Sequence, residues 1–262
     1  MPDLDARFMI EERTCYTLSD IIAAPDSMLS QEQYDTIQAD AHKRIGGMPL
    51  SRIYGMREFW GLPFEITPDT LDPRPDTELI IELALKRFKD SPPKTILDIG
   101  TGSGCILIAL LSEFPDAIGL GVDISFGAIS TARCNAKRNN IGSRAGFICG
   151  SWIESIAAGF DLIVSNPPYI ADSVIPTLSP EVQNHDPILA LDGGEDGLNP
   201  YKILFPKIKN ILNPSGTALF EIGFDQEENV MRLAEDSGFA LRTVHIDYAG
   251  NPRVVDISRG DK

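Results

Sequence analysis

Short apolar runs of four to six residues recur along the second part of the chain, as expected for buried strands. These runs occupy residues 95–99, 118–122, 146–149, 161–164, 217–222, 241–246 and 253–257. Segments of helical length separate most of them, whereas the last two are separated by a short turn and form a predicted hairpin. The pattern predicts an α/β protein.

The N-terminal part of the chain has a different pattern. Residues 17–44 show mixed helical periodicity, and Ser30 is a predicted helix start. A break containing two glycines and a proline follows at residues 46–49. Apolar and turn residues then alternate over residues 59–64, as in a short hairpin. An amphipathic helix is predicted over residues 76–89.

A glycine-rich turn follows the strand at residues 95–99, and a helix is predicted directly after it over residues 105–111. The glycines allow close approach of a ligand, and the helix N-terminus offers free N–H groups to an anion. The spacing G-x-G-x-G differs from that of dinucleotide binders and suits the methionine part of S-adenosylmethionine, with Asp98 as the acid near its ammonium group. The predicted cofactor-binding residues of this segment are Asp98, Gly100, Thr101, Gly102, Ser103 and Gly104.

Two further residues, Asp123 and Trp152, each follow a predicted strand and extend the predicted cofactor site. Asp123 lies about twenty residues beyond the glycine turn, where nucleotide-binding units place a carboxylate for the ribose hydroxyls. Its alternative role is the N-cap of a helix predicted over residues 125–139, although Ser125 is closer to the helix start. Trp152 stands where an adenine would lie, and a packed core aromatic is an equally good interpretation.

The tetrapeptide Asn166-Pro167-Pro168-Tyr169 directly follows a predicted strand. The nitrogen of a carboxamide or of an exocyclic amine is a poor nucleophile, so a catalyst must hold its N–H groups. The side-chain oxygen of Asn166 and the backbone carbonyl of Pro167 are the predicted acceptors, and Tyr169 is predicted to stack on the planar group. The motif indicates methylation of such a nitrogen, although taken alone it is equally consistent with a sharp turn.

Composition and charge narrow the class of protein. The 262 residues are 43% hydrophobic, which suffices for one large α/β core and a small appended domain. No apolar run approaches the length of a membrane span, and the acidic N-terminus is unlike a signal peptide, so we expect a cytoplasmic protein with no membrane partner. The four cysteines and three histidines are dispersed, which predicts reduced thiols and no metal site.

The distribution of charge favours a protein substrate. The net charge is −15, and residues 151–200, which include Asn166, contain no Lys or Arg. A nucleic-acid methyltransferase should present cations to the phosphate backbone. The sequence therefore predicts no nucleic-acid partner.

With the glycine turn, Asp123 and the Asn166 motif in this order, the chain resembles a class I methyltransferase with a seven-stranded, Rossmann-like sheet. Further blocks make it similar to the release factor glutamine methyltransferases from about Arg44 to the C-terminus. These blocks occupy residues 57–62, 70–78, 190–198, 221–223 with Gln226, and 247–255. The chain departs from the family at Ser151, where an acidic residue is usual, and at residues 185–187, where Tyr-Glu-Pro is common.

The resemblance implies methyl transfer from S-adenosylmethionine to the side-chain amide nitrogen (N5) of glutamine in the Gly-Gly-Gln loop of bacterial class I peptide chain release factors. It implies a mainly helical recognition region with a linking β-hairpin over residues 1–73 and a methyltransferase domain over residues 74–262. We expect a monomer.

The expected site residues combine the assignments made from the individual motifs. Asn166, Pro167 and Tyr169 are the predicted catalytic residues, and Pro168 and Arg74 join them in substrate binding. Asn166 is also assigned to the cofactor site. Arg74 either orients the substrate backbone or pairs with an acid such as Asp76, and the sequence does not separate these roles. For Glu221, the end of a strand is favoured over a proton acceptor.

Two rival functions share part of this evidence. An adenine-N6 methyltransferase acting on DNA or RNA uses the same motif, but it predicts a basic groove. A non-catalytic S-adenosylmethionine-binding partner of the translation machinery explains the glycine turn, but it has no use for an amide clamp at Asn166 and Tyr169.

Overall fold

The computed structural model describes residues 2–154 and 156–260, and the chain divides into two units between Gly55 and Met56. The first unit is helical, as predicted. Its helices are α1 (Pro2–Arg13), α2 (Leu18–Ala23), α3 (Gln31–Ile45) and α4 (Leu50–Tyr54).

Helix caps and ion pairs stabilise this first unit. Ser30 is the N-cap of α3, and it exchanges hydrogen bonds with Gln33 in a capping box. The helix ends at Gly46, as the glycine break predicted. Arg13 of α1 donates to the buried carboxylate of Asp40 in α3 at 2.7 Å, which satisfies a charge that would otherwise be costly to bury.

The second unit contains the predicted hairpin and sheet. The hairpin strands are β1 (Met56–Phe59) and β2 (Leu62–Glu65). The sheet strands are β3 (Thr95–Ile99), β4 (Ile118–Asp123), β5 (Ala145–Cys149), β6 (Phe160–Ser165), β7 (Leu212–Glu221), β8 (Leu241–Ile246) and β9 (Pro252–Ser258). Both elements confirm the sequence prediction. By its contacts the hairpin belongs to the second unit, and a functional boundary at residue 73 stays a prediction.

The strand order of the large sheet is β5-β4-β3-β6-β7-β9-β8. The first five strands are parallel, and β9 is antiparallel to both of its neighbours. The order reverses between β3 and β6, because the chain first builds outward to β5 and then returns to the other side of β3. In open α/β sheets such a reversal opens a crevice at the carboxyl ends of the strands, where ligands bind.

Alternating strand residues supply a core on each face of the sheet. Ile96 packs with one buried cluster, and its neighbour Leu97 packs with the other. The first cluster also draws on helices α5 (Glu78–Arg87), α6 (Cys105–Glu113) and α7 (Phe126–Arg138). A short helix, α8 (Pro180–His185), precedes α9 (Asn199–Ile211) and α10 (Glu227–Asp236), and these last two supply the second cluster.

Some boundaries differ from the prediction. The helix expected over residues 76–89 is a 3-10 turn, Pro75–Thr77, followed by α5. Strand β7 begins at Leu212, five residues earlier than its apolar run, because Asn213, Pro214 and Ser215 interrupt the hydrophobic pattern but not the extended backbone.

Within the described residues, no helix is long and apolar enough to cross a membrane.

Phe205 tests the second core. Its ring is fully buried and makes edge contacts with Phe220 and Phe239. We expect Phe205→Ala to lower the free energy of unfolding by about 3–5 kcal/mol, because it removes buried area and leaves a cavity. Ile203→Ala on the same helix is the control and should cost less than about 1 kcal/mol, since Ile203 is 37% exposed. Urea unfolding of both variants measures the difference, and equal losses would contradict this packing.

Candidate active site

The glycine turn between β3 and α6 has the conformation that its sequence predicts. Gly100, Gly102 and Gly104 all have positive φ, at 72°, 54° and 81°. At Gly104 there is also no room for a side chain, because a Cβ would lie 3.0 Å from Ile108 Cδ1 and 3.1 Å from Ala132 Cβ. Glycine therefore lets the turn lie directly against α6 and α7.

A cavity of about 280 Å³ lies at the carboxyl ends of the parallel strands. Seven of the predicted cofactor residues line it: Gly100, Thr101, Gly102, Ser103, Asp123, Trp152 and Asn166. Apolar side chains such as Leu71 and Leu189 complete the wall. An apolar pocket with a few convergent polar groups is the usual form of a cofactor site, and backbone N–H groups, a carboxylate and an aromatic ring fit the parts of S-adenosylmethionine.

Asp123 lies at the end of β4 and lines this cavity. Its two carboxylate oxygens accept from the backbone N–H groups of Gly102 and Ser125, both at 2.9 Å. Burial raises the pKa of Asp123, although these backbone bonds oppose the shift. Ser125, not Asp123, is the N-cap of α7, since its hydroxyl accepts from the N–H of Ala128. This removes the alternative that competed with a ligand-binding role.

Asp98 differs from the expectation. It is fully buried below the turn and does not line the cavity. Its Oδ2 accepts from the hydroxyl of Thr101 at 2.6 Å. Burial, reinforced by the nearby charge of Asp123, raises the pKa of Asp98 to about 7. In this structure Asp98 supports the turn through Thr101, and a contact between Asp98 and a methionine ammonium stays a prediction. Gly104 also lies outside the cavity wall.

Trp152 lies on the cavity wall beside Gly150 and Ser151, and it also packs against the second core cluster. The surroundings of Trp152 are therefore consistent with both predictions, a contact with adenine and a packed core aromatic. Its φ of 50° is unusual for a bulky residue and turns the chain sharply after β5. A contact with adenine stays a prediction.

A smaller cavity adjoins the larger one. Its lining includes Arg74, Tyr169, Ile170 and Leu178, and Asn166 lines both cavities. The remaining motif residues are distributed unequally, since Pro168 lines only the larger cavity and Pro167 lines neither. Asn166 therefore stands where the two cavities meet.

A chain of hydrogen bonds holds Asn166 and Tyr169 from behind. Asn166 Nδ2 donates to Thr77 Oγ1 at 3.2 Å, and Thr77 Oγ1 donates to Glu221 Oε2 at 2.7 Å. Tyr169 OH donates to the other oxygen, Glu221 Oε1, at 3.1 Å. Glu221 does end β7, as expected, but its buried carboxylate also belongs to the site. Sequence reasoning missed Thr77, although it lies in the block at residues 70–78.

Burial raises the pKa of Glu221 to about 7. The hydroxyl of Thr77, the positive charge of Arg253 and the hydroxyl of Tyr169 oppose this shift because they stabilise the carboxylate. Burial and the charge of Glu221 also raise the pKa of Tyr169, so its phenol keeps its proton and remains a donor.

Arg74 lines the smaller cavity and pairs with Asp186, whose Oδ2 lies 2.6 Å from Arg74 Nη2. Asp76, named as a possible partner of Arg74, instead lies 3.6 Å from Arg253. Asp76 is close to Arg74 in sequence, but it lies in the 3-10 turn and its carboxylate is directed at Arg253. Asp186 belongs to the His-Asp-Pro sequence at residues 185–187, where the family commonly has Tyr-Glu-Pro. The Asp side chain is shorter than that of Glu, but it still supplies a carboxylate to Arg74.

Gln226 supports the backbone of the motif. Its Nε2 donates to the carbonyl oxygens of Tyr169 at 2.9 Å and Gly197 at 3.2 Å, and its Oε1 accepts from Gly223 N at 2.9 Å. At Gly197 a Cβ would lie 2.4 Å from the Tyr169 carbonyl oxygen. Gln226 and Gly197 thus fix the end of the motif against the loop that follows it.

A doubly wound sheet with a glycine turn after β3, an acid at the end of β4 and an Asn-Pro-Pro-Tyr motif after β6 defines a class I methyltransferase. Family models agree with this class. The methyltransferase small domain matches residues 77–179, and the PrmC N-terminal domain matches residues 1–55.

Curated relatives identify the family. The release factor glutamine methyltransferase of Agrobacterium fabrum is 43% identical, over 98% of this chain and 91% of the relative. That of Bradyrhizobium diazoefficiens is also 43% identical, over 97% of this chain and 86% of the relative. The chain belongs to the release factor glutamine methyltransferase family.

Solved structures agree on the fold. The catalytic domain of human Mettl16, in a crystal structure with a hairpin of the MAT2A 3′UTR, superposes with a TM-score of 0.64. The match covers 79% of this chain and 78% of that chain, at 18% sequence identity. At this identity the similarity establishes the class I methyltransferase fold alone.

Asp123 tests the cofactor side of the site. We expect Asp123→Ala to raise the Kd for S-adenosylmethionine roughly 10-fold to 100-fold, the usual effect of removing a charged hydrogen-bond acceptor. Asp116→Ala, which removes an exposed acid, is the control and should leave the Kd unchanged. Calorimetric titration measures both, and equal Kd values for the two variants would exclude Asp123 from the site.

Proposed function

We propose that this chain transfers a methyl group from S-adenosylmethionine to the side-chain amide nitrogen, N5, of the glutamine in the Gly-Gly-Gln loop of bacterial class I peptide chain release factors. The observation that carries the proposal is the position of Asn166. It lines both cavities, so a planar amide held in the smaller cavity reaches a methyl donor in the larger one. The names of the relatives specify the substrate class.

The chain's own groups account for the recognition of an amide. Because Nδ2 of Asn166 is bonded to Thr77, its Oδ1 is the atom available to accept an N–H of the glutamine. The carbonyl oxygen of Pro167 is the proposed second acceptor, and within residues 2–154 and 156–260 no donor bonds either oxygen. Tyr169 lines the smaller cavity and is proposed to lie against the amide plane.

The reaction needs positioning more than acid or base chemistry. S-adenosylmethionine, when bound, supplies a methyl group activated by a sulfonium. The glutamine nitrogen forms the new N–C bond as the C–S bond breaks, and the extra proton leaves to water afterwards, because the nitrogen becomes acidic only once it is alkylated. Orientation of this kind gains on the order of 7–11 kcal/mol. Asn166 Oδ1 and the Pro167 carbonyl stabilise the N–H groups as positive charge develops.

The charge around the site favours a protein over a nucleic acid. Residues 151–200 carry eight Asp and Glu side chains and no Lys or Arg. Phosphate binding depends on cations, so the adenine-N6 alternative lacks support here. Arg74 is engaged with Asp186 and therefore contributes little free positive charge.

We further propose a division of roles along the chain. Residues 1–73 recognise the release factor, and residues 74–262 carry out methyl transfer. The protein is proposed to act as a monomer in the cytoplasm, where release factors function, without a nucleic-acid or membrane partner.

Methyl transfer from labelled S-adenosylmethionine tests the proposal. The acceptors are a purified bacterial release factor, its Gly-Gly-Gln→Gly-Gly-Ala variant, and adenine-containing DNA and RNA. We expect label on the release factor and none on the variant. Label on nucleic acid alone would replace the proposal with the adenine alternative, and binding of S-adenosylmethionine without any transfer would favour a non-catalytic partner.

Asn166→Ala separates catalysis from binding. We expect kcat to fall roughly 10²-fold to 10³-fold, the usual effect of removing one oriented group from a transition-state site. The Kd for S-adenosylmethionine should change far less, because many other residues line that cavity. Asn229→Ala in α10 is the control and should behave as wild type. Equal losses of turnover and cofactor binding in Asn166→Ala would contradict the assigned role.

A further inference from the structure

The buried carboxylate of Glu221 is not needed as a base, yet it lies behind both functional side chains of the motif. We propose that Glu221, acting through Thr77, is a positioning residue that orients the carboxamide of Asn166 and the ring of Tyr169. This inference rests on the proposed glutamine methylation and deepens it.

The direction of the hydrogen bonds carries the argument. A threonine hydroxyl has one hydrogen, and an ionised carboxylate only accepts. Thr77 gives that hydrogen to Glu221 Oε2 at 2.7 Å, so its oxygen is left as an acceptor toward Asn166. Only the Nδ2 group of Asn166 can fill that position, which it does at 3.2 Å. A rotated carboxamide would set two oxygens against each other without a hydrogen between them.

The chemical consequence falls on the glutamine. With Nδ2 turned to Thr77, Oδ1 of Asn166 is presented as an acceptor where the two cavities meet. A substrate carboxamide offers N–H groups at its reacting nitrogen, so an acceptor is required and a donor would be repelled. Glu221 thereby determines which face of Asn166 meets the substrate, although it lines neither cavity.

The second oxygen of the same carboxylate holds Tyr169. The phenol donates to Glu221 Oε1 at 3.1 Å, which fixes the end of the ring opposite the backbone. The backbone of Tyr169 is held separately by Gln226. One carboxylate therefore anchors both side chains, one on each oxygen, and small movements of Glu221 would displace both together.

Glu221 acts in this way only when its carboxyl group is ionised. Arg253 of β9 and the hydroxyls of Thr77 and Tyr169 face it and favour the charge, whereas burial and Asp76 oppose it. Tyr201 donates to its backbone oxygen. The pKa of Glu221 is raised to about 7. Below that pH a protonated Glu221 can donate to Thr77, which frees the threonine hydrogen for Asn166 Oδ1, so the rate should fall as pH decreases through about 7.

Three variants test the relay. Thr77→Val keeps the shape and removes the hydroxyl, Thr77→Ser keeps the hydroxyl, and Glu221→Gln keeps the shape and removes the charge. We expect kcat for the release factor to fall at least about tenfold in Thr77→Val and Glu221→Gln, the effect of losing one hydrogen bond to a charged group. Thr77→Ser should restore most of the loss. Thr131→Val, at a buried threonine of α7, is the control for removal of a hydroxyl.

Two further readouts exclude a merely structural role. The Kd for S-adenosylmethionine should change much less than kcat in every variant. The decrease of kcat below pH 7 should be present in wild type and absent from Glu221→Gln, and this comparison separates Glu221 from Asp98, whose pKa is also about 7. Three results would overturn the inference. The first is a kcat of Thr77→Val within about twofold of wild type, and the second is a loss of kcat in Thr77→Ser equal to that in Thr77→Val. The third is a pH profile of Glu221→Gln that matches the wild-type profile. A wild-type protein that methylates no release factor would overturn the proposed function as well.

Discussion

The pairing of β3 with β6 is the constraint on which the site depends. Ile99 is opposite Ser165 at the carboxyl ends of these parallel strands, and Ser165 Oγ donates to the carbonyl of Ile99 at 2.7 Å. The next residues, Gly100 and Asn166, therefore begin their turns side by side. A Cβ on Gly100 would lie 4.0 Å from the carbonyl oxygen of Asn166. The glycine turn and the Asn-Pro-Pro-Tyr motif meet because two strands that are far apart in sequence are neighbours at the reversal of the sheet.

Carboxylates set the electrostatic character of this edge. Asp98 and Glu221 are buried and Asp123 is half-buried, and burial is the largest cause of the raised pKa of each. Burying a charge is costly, and hydroxyl or backbone donors offset part of that cost at Asp123, at Glu221 and at Oδ2 of Asp98. An acidic, largely apolar site suits a ligand that carries positive charge and a reaction in which positive charge develops on a nitrogen. It is a poor environment for phosphates.

Local sequence signals predicted the helices and strands well, but they did not predict the contacts between segments that are distant in sequence. The apolar runs located all seven strands, and Ser30 and Ser125 marked helix starts that the structure confirms as N-caps. The cofactor turn followed from its glycine spacing.

Partners within the site were harder to predict, because they depend on how distant segments approach one another. Thr77 and Glu221 are 144 residues apart, and Arg74 and Asp186 are 112 apart. Contacts over such separations produce no periodic pattern in the sequence from which they could be predicted. The sequence placed Asp98 beside the turn but did not predict its burial or its hydrogen bond with Thr101. The pleat of β3 decided the direction of that side chain.

We propose that Asn166 presents its oxygen to a glutamine amide at the junction of the two cavities. A crystal structure of the protein with S-adenosylhomocysteine and a peptide containing Gly-Gly-Gln would show whether it does. We expect the glutamine side chain in the smaller cavity beside Tyr169, with its amide nitrogen within hydrogen-bond distance of Asn166 Oδ1 and directed at the larger cavity. A glutamine bound elsewhere, or one whose carbonyl oxygen meets Asn166 Nδ2, would rule out this role of Asn166.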